Sequence, residues 1–307
     1  MSKNFTRIGN SLERAVKKLT GGSAPAVYYG YVKIHGTNSG IGKLNGEIFY
    51  QSRNRELTPE DDNYGFAKAM SKIDWATKIP EGYIIFGEWA GKGVQKKVGV
   101  SQLPKTFYPF IAYRIDTETY AQLNSAVAIY YNCEGVDSIA LTTPYIKISI
   151  DSMNLSEAVE EIKKATLEVE TVCPVAKANG IVGVGEGLVF RPCVHTHGSK
   201  AYDPETWFKS KGDKYCDHGR KIPKSKPKDH VSEAFLTPLI EARGVQGLQY
   251  LKEMGHELDM ISTRVFIEWM VNDIKSEVEI PKEVNQKCIG SLAALWFKAN
   301  HEYDLGG

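Results

Sequence analysis

A change of hydrophobic period near residue 225 constrains the fold more than any other feature of this 307-residue sequence. Before it, VYYGYVKI and EIFYQSR, within residues 25–53, alternate apolar and polar side chains with the two-residue period of half-buried strands, and GKLNGE turns between them. YIIFGEWAG, FYPFIAYRI, TPYIKISI and GEGLVFRP read as further strands, and WFKSKGDKY follows. One amphipathic helix is predicted from Asn154 to Val169, with Asn154 as N-cap, Glu157 at N3, and Leu155, Val159, Ile162 and Ala165 at helical spacing. GRKIPKSKPKDH, rich in Pro and Lys, reads as a linker. After it, SEAFLTPLIEAR, GLQYLKEM, STRVFIEWMVNDIKSEV and KEVNQKCIGSLAALWFKAN all carry the helical period. The expectation is an α+β domain over residues 1–224 and a small all-helical domain over residues 225–307.

A hydrophobic content of 42% supports a packed core, and no apolar stretch approaches the length needed to span a bilayer. MSKNFTRIGNSLERAVKKL is charged throughout and lacks the apolar centre of a signal peptide. The five cysteines are odd in number and never CxxC-spaced, which fits reduced thiols in a cytoplasmic setting, the host's if the chain is viral. Net charge is only +1, but Lys209 to Lys228 holds eight Lys or Arg against two Asp. Such a run is either a solvated loop or a phosphate-facing surface.

Lys33 ends an apolar strand in YVKIHGTNSG. Taken alone it reads as an edge strand running into a polar turn. As a nucleophile it makes a demand on the rest of the chain. A lysine amine has a reference pKa of about 10.4, so nucleophilic use needs neighbouring cations, a metal or partial burial to favour its neutral form. The sequence supplies such neighbours. SRNREL offers Arg53 and Arg55, FGEWAG offers Glu88, EGLVF offers Glu186, and Lys209 and Lys211 stand two residues apart on one face of a strand.

In order, KIHGTN, SRN, FGEWAGKGVQK, FYPF, EGLVFRP and KSKGDKY resemble the nucleotidyltransferase motifs of covalent ligases, across roughly residues 30–220. They are most similar to the bacteriophage RNA ligase 2 family, which seals nicks in duplex RNA. The resemblance implies a ligase-type nucleotidyltransferase domain of antiparallel sheets and a helical C-terminal domain. It also implies ATP as cofactor, with Mg²⁺ or Mn²⁺, and a monomer acting on nicked duplex RNA with 3′-OH and 5′-phosphate ends. Lys33 would carry AMP as a phosphoramidate. By the same resemblance Glu186 binds the divalent cation, and Glu88 holds the ribose or supports the metal. Lys209 and Lys211 contact the α-phosphate, Ile34, His35 and Asn38 line the nucleotide, and Arg53 meets ribose or the 5′-phosphate. Arg191 and Lys214 face nucleic acid. Phe110 is the expected ring against adenine, with Tyr113 as the alternative, because the aromatic motif is shifted by about two residues.

Three features are set beside this reading. Cys193, His195 and His197, with Cys216 and His218, have one-residue gaps that are atypical of structural zinc. Trp207 suits a core or a base stack. No P-loop motif occurs, so a P-loop is not the ATP site. The competing readings are a DNA or mixed RNA/DNA nick ligase and, outside enzymes, a nucleic-acid-binding module on a ligase scaffold.

Overall fold

Antiparallel pairing organises the chain before residue 213. The computed structural model describes residues 3–6, 8–22, 25–123, 134–137, 140–141, 143–151, 154–212 and 229–302. Ten strands are described: β1 (Ala26–Val32), β2 (Thr37–Leu44), β3 (Glu47–Ser52), β4 (Glu56–Leu57), β5 (Tyr83–Ala90), β6 (Thr106–Arg114), β7 (Thr119–Ala121), β8 (Ile146–Ile150), β9 (Gly187–Pro192) and β10 (Phe208–Lys211). They form a four-stranded sheet in the order β10-β9-β1-β8 and a six-stranded sheet in the order β4-β3-β2-β5-β6-β7. Every paired neighbour in both sheets is antiparallel.

Most predicted strands are present, with one correction. The region read as two strands holds three, because TNSGIGKL forms β2. It has few apolar residues to announce it, yet it is hydrogen-bonded on both sides, to β3 and β5. The turn is tighter than GKLNGE suggested. Asn45 and Gly46 alone make it, both at positive φ (55° and 81°), the backbone that matches strand twist in a two-residue hairpin.

Alternation of side chains divides each sheet into two faces. Tyr28, Val32, Leu188, Phe190, Phe208 and Ile148 point from the smaller sheet into a core shared with α1 (Leu12–Thr20), α3 (Ser156–Thr171) and α4 (Pro174–Ala178). Ile41, Ile85, Trp89, Phe107 and Ala112 point from the larger sheet onto α2 (Phe66–Met70) and Trp75. The opposite faces meet across Ile84, Phe86, Ile111, Tyr113, Val189 and Trp207, joined by Phe5 from the N-terminal segment. The open part of this junction is where chemistry-bearing side chains gather.

One helix went unread in the sequence, and one predicted helix starts later. The charged N-terminal stretch contains α1, capped by Ser11, whose hydroxyl accepts from the Arg14 N–H at 3.1 Å. The helix expected from Asn154 begins instead at Ser156, and Leu155 occupies the cap position. Asn154 forms an isolated bridge with Asp151, and its side chain accepts from the Ser156 N–H at 3.3 Å, so the expected pairing with Glu157 as N3 does not form.

The chain divides into two compact units, Met1–Tyr215 and Cys216–Gly307. The expected boundary at residues 224/225 lies outside the described residues. The second unit packs α5 (His230–Glu253), α6 (Thr263–Glu277) and α7 (Cys288–Asn300) around Leu236, Leu248, Phe266, Met270, Trp296 and Phe297. SEAFLTPLIEAR and GLQYLKEM are one continuous helix, α5, opened by Asp229, which accepts from the Ser232 N–H at 3.0 Å. Gly244, between the two segments, and Gly247, the first residue of the second, let the Trp296 and Phe266 rings pack against the helix backbone. Arg243 donates to Asp273 at 3.0 Å and to Glu277 at 3.2 Å inside this bundle. No helix among the described residues is long and apolar enough to cross a membrane.

Candidate active site

Lys33 is the first residue after β1. Its N–H donates to the Gly187 carbonyl at 2.8 Å, which extends the β1–β9 pairing by one step and sets the lysine beside Glu186. Gly187 has φ 138°, and a Cβ there would lie 2.1 Å from the Ser210 carbonyl oxygen. Only glycine lets β9 and β10 close at this point. The Gly212 N–H then donates to the Glu186 carbonyl at 3.1 Å, and Lys211 pairs with Gly187 in register. Backbone geometry thus drives the Glu186 side chain between two lysines.

The resulting cluster is tight. Glu186 Oε2 lies 2.6 Å from Lys33 Nζ, Glu186 Oε1 lies 3.0 Å from Lys211 Nζ, and His35 Nδ1 lies 3.6 Å from Oε2. The Glu186 side chain is 2% exposed, whereas Lys33 and Lys211 retain 19% and 24%. Burial alone would raise the Glu186 carboxyl, but Lys33, Lys211 and His35 together hold it well below the usual carboxylate range. His35 is pushed the other way. Burial lowers its pKa more than Glu186 raises it, which favours the neutral imidazole. Lys209 shares the Lys211 face of β10, opposite Val189.

The second wall comes from the larger sheet. Glu88 pairs with Asn38 across β5 and β2, and Ser52 pairs with Ser39, so Arg53 falls next in the same row. Glu88 Oε1 accepts from the Gly36 N–H at 3.1 Å. A Cβ on Gly36 would sit 2.2 Å from the Trp89 carbonyl oxygen, so glycine permits this approach of the Lys33–Asn38 turn to β5. Burial raises the Glu88 carboxyl to about 7, against the opposing pull of Lys33 and Arg53. Asn38 is buried, donates to the Gly87 carbonyl at 3.4 Å, and leaves its Oδ1 with no hydrogen-bond partner among the described residues. Arg53 Nε is likewise buried without one. Arg55 turns away, donating to the Asp61 and Asp62 carbonyls and pairing with Asp61 at 2.8 Å.

An aromatic region adjoins these charges. Phe110 is the extra residue of a bulge in β6, since Phe86 pairs with Ile111 and Gly87 with Pro109. Its ring is half-buried and meets Phe5 edge-on at 5.0 Å. Tyr113 is buried against Phe86 and Tyr120. Ile34 is buried in the core beneath the turn. Arg191 projects from β9 into the aromatic region, over the rings of Tyr31, Trp207 and Phe110.

The structure therefore brings Lys33, His35, Asn38, Arg53, Glu88, Glu186, Lys209 and Lys211 to one cleft between the sheets. Lys214, Cys216 and His218 lie outside the described residues. Among the described residues no three His, Cys, Asp or Glu side chains cluster as metal ligands, and His197 Nε2 accepts from the Val27 N–H at 3.1 Å. Glu186 and Glu88 sense each other's charge across the cleft, and carboxylate oxygens of this kind suit a hard divalent cation. Tyr31 and Gln95 were not anticipated. Tyr31 stands two residues before Lys33 on the same strand face, a position that alternation marks. Gln95, inside the GKGVQK segment, donates to the Gly36 carbonyl at 3.2 Å.

With the cleft described, comparison with known proteins decides the family. The RNA ligase family matches residues 27–211, more than half of the chain and all of the cleft residues just named. This chain belongs to the RNA ligase family. No curated protein matches it. Solved structures of Naegleria gruberi RNA ligase are similar to it. One is a mutant with AMP and Mn, with 17% identity and a TM-score of 0.46 over 69% of this chain and 57% of that one. Another is a mutant with ATP and Mn, with 16% identity and a TM-score of 0.47 over 69% and 56%. A third is the ligase with PPi, with 16% identity and a TM-score of 0.44 over the same shares. The chain spans a little over half the length of these ligases.

Proposed function

We propose that this member of the RNA ligase family is an ATP-dependent enzyme that joins 3′-OH and 5′-phosphate RNA ends through a lysyl-AMP intermediate on Lys33. The observation that carries the reading is the Glu186 carboxylate shared between Lys33 and Lys211, with His35 and Glu88 beside it. In the first step the Lys33 amine gives up its proton and attacks the α-phosphorus of ATP. A P–N bond forms and the P–O bond to pyrophosphate breaks. In the second step the 5′-phosphate of an RNA end attacks that phosphorus, and AMP passes from Lys33 to the RNA. In the third step the 3′-hydroxyl of the other end attacks the activated 5′-phosphate, and AMP leaves with its bonding electrons.

The residues divide the work. Lys209 and Lys211 neutralise charge that builds on the α-phosphate, which is where most of the barrier to phosphoryl transfer is lowered. Glu186, with Glu88, would hold Mg²⁺ or Mn²⁺, whose charge would offset that of the phosphates. Glu88, Asn38 and Arg53 form a row suited to ribose hydroxyls and a 5′-phosphate, and the Asn38 Oδ1 acceptor and Arg53 Nε donor, neither with a hydrogen-bond partner among the described residues, are available to such groups. Phe110 offers a ring for adenine. Sealing of nicks in duplex RNA, as in the RNA ligase 2 branch, follows from the resemblance of KIHGTN and GEWAGKGVQK to that branch.

The test is incubation with ATP labelled at the α-phosphate and Mg²⁺. A covalent protein–AMP adduct is expected in the wild type and none in Lys33→Ala. Absence of the adduct from the wild type favours the binding-module reading, and an adduct that survives Lys33→Ala removes Lys33 as the nucleophile. Nicks of all-RNA, all-DNA and hybrid composition then separate substrates. A requirement for RNA on the 3′-OH side supports the RNA reading, and equal sealing of all-DNA nicks overturns it.

A further inference from the structure

Arg191 is an arginine turned inward. Its guanidinium lies 4.4 Å from the Tyr31 ring centroid, 4.8 Å from that of Trp207 and 5.7 Å from that of Phe110. Nη1 donates to the Phe110 carbonyl at 3.3 Å and to the Leu141 carbonyl at 3.2 Å. Nε is buried and finds no hydrogen-bond partner among the described residues. No carboxylate among the described residues contributes to its charge balance, and burial lowers its pKa to about 10, leaving it cationic at neutral pH. A partly buried cation without an acid is costly, and here aromatic faces and two carbonyls offset the cost.

The place of those carbonyls gives the arrangement its meaning. Phe110 is the bulged residue of β6, unpaired with β5 at the point where the ladder shifts. A bulge leaves the extra residue unpaired, disrupts the ladder locally and re-aims its side chain. Arg191 reaches across from β9 and takes the Phe110 carbonyl, tying the bulge to the other sheet. The same guanidinium holds the Leu141 carbonyl, so three separate segments are fixed by one side chain. Lysine would supply a charge, but not a planar group that stacks on rings while its N–H fork meets two carbonyls.

We propose that Arg191 is a positioning residue, a clamp that fixes the Phe110 bulge and thereby sets the aromatic platform on which the purine of the nucleotide stacks. This rests on the ATP-dependent reading above and gives Arg191 a role inside the cleft rather than on an RNA phosphate. The clamp acts on the base and leaves the phosphate-binding lysines of β10 alone. Loss of the clamp weakens ligands that carry a base and spares those that do not.

The experiment uses the full chain and two variants, Arg191→Met and Arg191→Lys, with thermal melting as the check on folding. Adduct formation is measured against ATP concentration, and tripolyphosphate, which has no base, is titrated as a competitor. The expected result is a rise of about ten-fold or more in half-saturating ATP for Arg191→Met, with an intermediate rise for Arg191→Lys. The rate at saturation and inhibition by tripolyphosphate stay at their wild-type values. A folded Arg191→Met with wild-type half-saturation overturns the proposal. Equal weakening of ATP and tripolyphosphate also overturns it, because that marks a general collapse of the cleft. Should Arg191→Met fail to fold, Arg191→Lys decides by the same two readings. No adduct in the wild type is a different failure, since it removes the lysyl-AMP reading and takes this proposal with it.

Discussion

Two glutamates of the same cleft are held in opposite electrostatic states, and the contrast is testable by pH. The Glu186 carboxyl is depressed by its lysines, so the stability it contributes is present above the unfolded value of 4.5 and is lost as pH falls through its folded value. Glu88 is raised to about 7, so its contribution is fully present below 4.5 and is lost as pH rises through 7. Urea melts of the wild type and Glu88→Gln should therefore diverge between pH 4.5 and 7, the wild type losing stability relative to the variant as pH rises. A wild-type curve parallel to that of Glu88→Gln contradicts the raised carboxyl. Glu186→Gln leaves Lys33 and Lys211 without their shared carboxylate, and the rate of adduct formation should fall by about a hundred-fold or more in a protein that still folds. A single-turnover assay with labelled ATP measures it.

At the scale of elements, the ends of strands do the placing. The closure of β9 on β10 depends on Gly187, where a side chain would meet the Ser210 carbonyl at 2.1 Å. Gly187→Ala should cost about 2–4 kcal/mol, since it adds a steric clash to a φ that L-residues avoid, and it should slow adduct formation by displacing Glu186 from Lys33. Chemical denaturation and the adduct assay read the two effects separately, and a variant with wild-type stability sinks the account of the closure. The two arginines after β3 make a second contrast. Arg55 pins the Asp61–Asp62 loop, whereas Arg53 continues the row of Asn38 and Glu88. Arg55→Ala should lose about 1 kcal/mol and keep adduct formation, while Arg53→Ala should impair nucleotide or RNA use with little loss of stability. The reverse pattern in melting and ligation assays would exchange their roles.

At the scale of the whole molecule, each unit has its own core. Residues 1–224 should fold alone and form the protein–AMP adduct, while nick sealing should be lost with the helical unit. Retained sealing by the truncated chain removes the helical unit from RNA engagement. Within that unit the Arg243 side chain is 7% exposed and joins Asp273 and Glu277, so Arg243→Ala removes the cation that these two buried carboxylates share. A loss of about 3–5 kcal/mol is expected for breaking such a buried network. The loss should appear in the helical signal by circular dichroism before adduct formation changes.

The sequence by itself determined the strand and helix periods, the change of architecture near residue 225, and the identity of the charged cleft residues. These are local properties: alternation, turn chemistry, and residue types whose chemistry is recognisable in order along the chain. It did not announce β2, because TNSGIGKL owes its strand to hydrogen bonds from neighbours on both sides, and those neighbours are distant in sequence. The resemblance singled out Arg53 and preferred Phe110 to Tyr113, but periodicity alone separates neither pair, since such differences depend on which face a side chain takes after a bend or a bulge. Only the tertiary structure put Glu186 between Lys33 and Lys211 and turned Arg191 into an aromatic enclosure. The reason is physical. Position within a strand fixes the side of a sheet, but only the packing of one sheet on the other fixes what a side chain meets there and how far water is excluded from it.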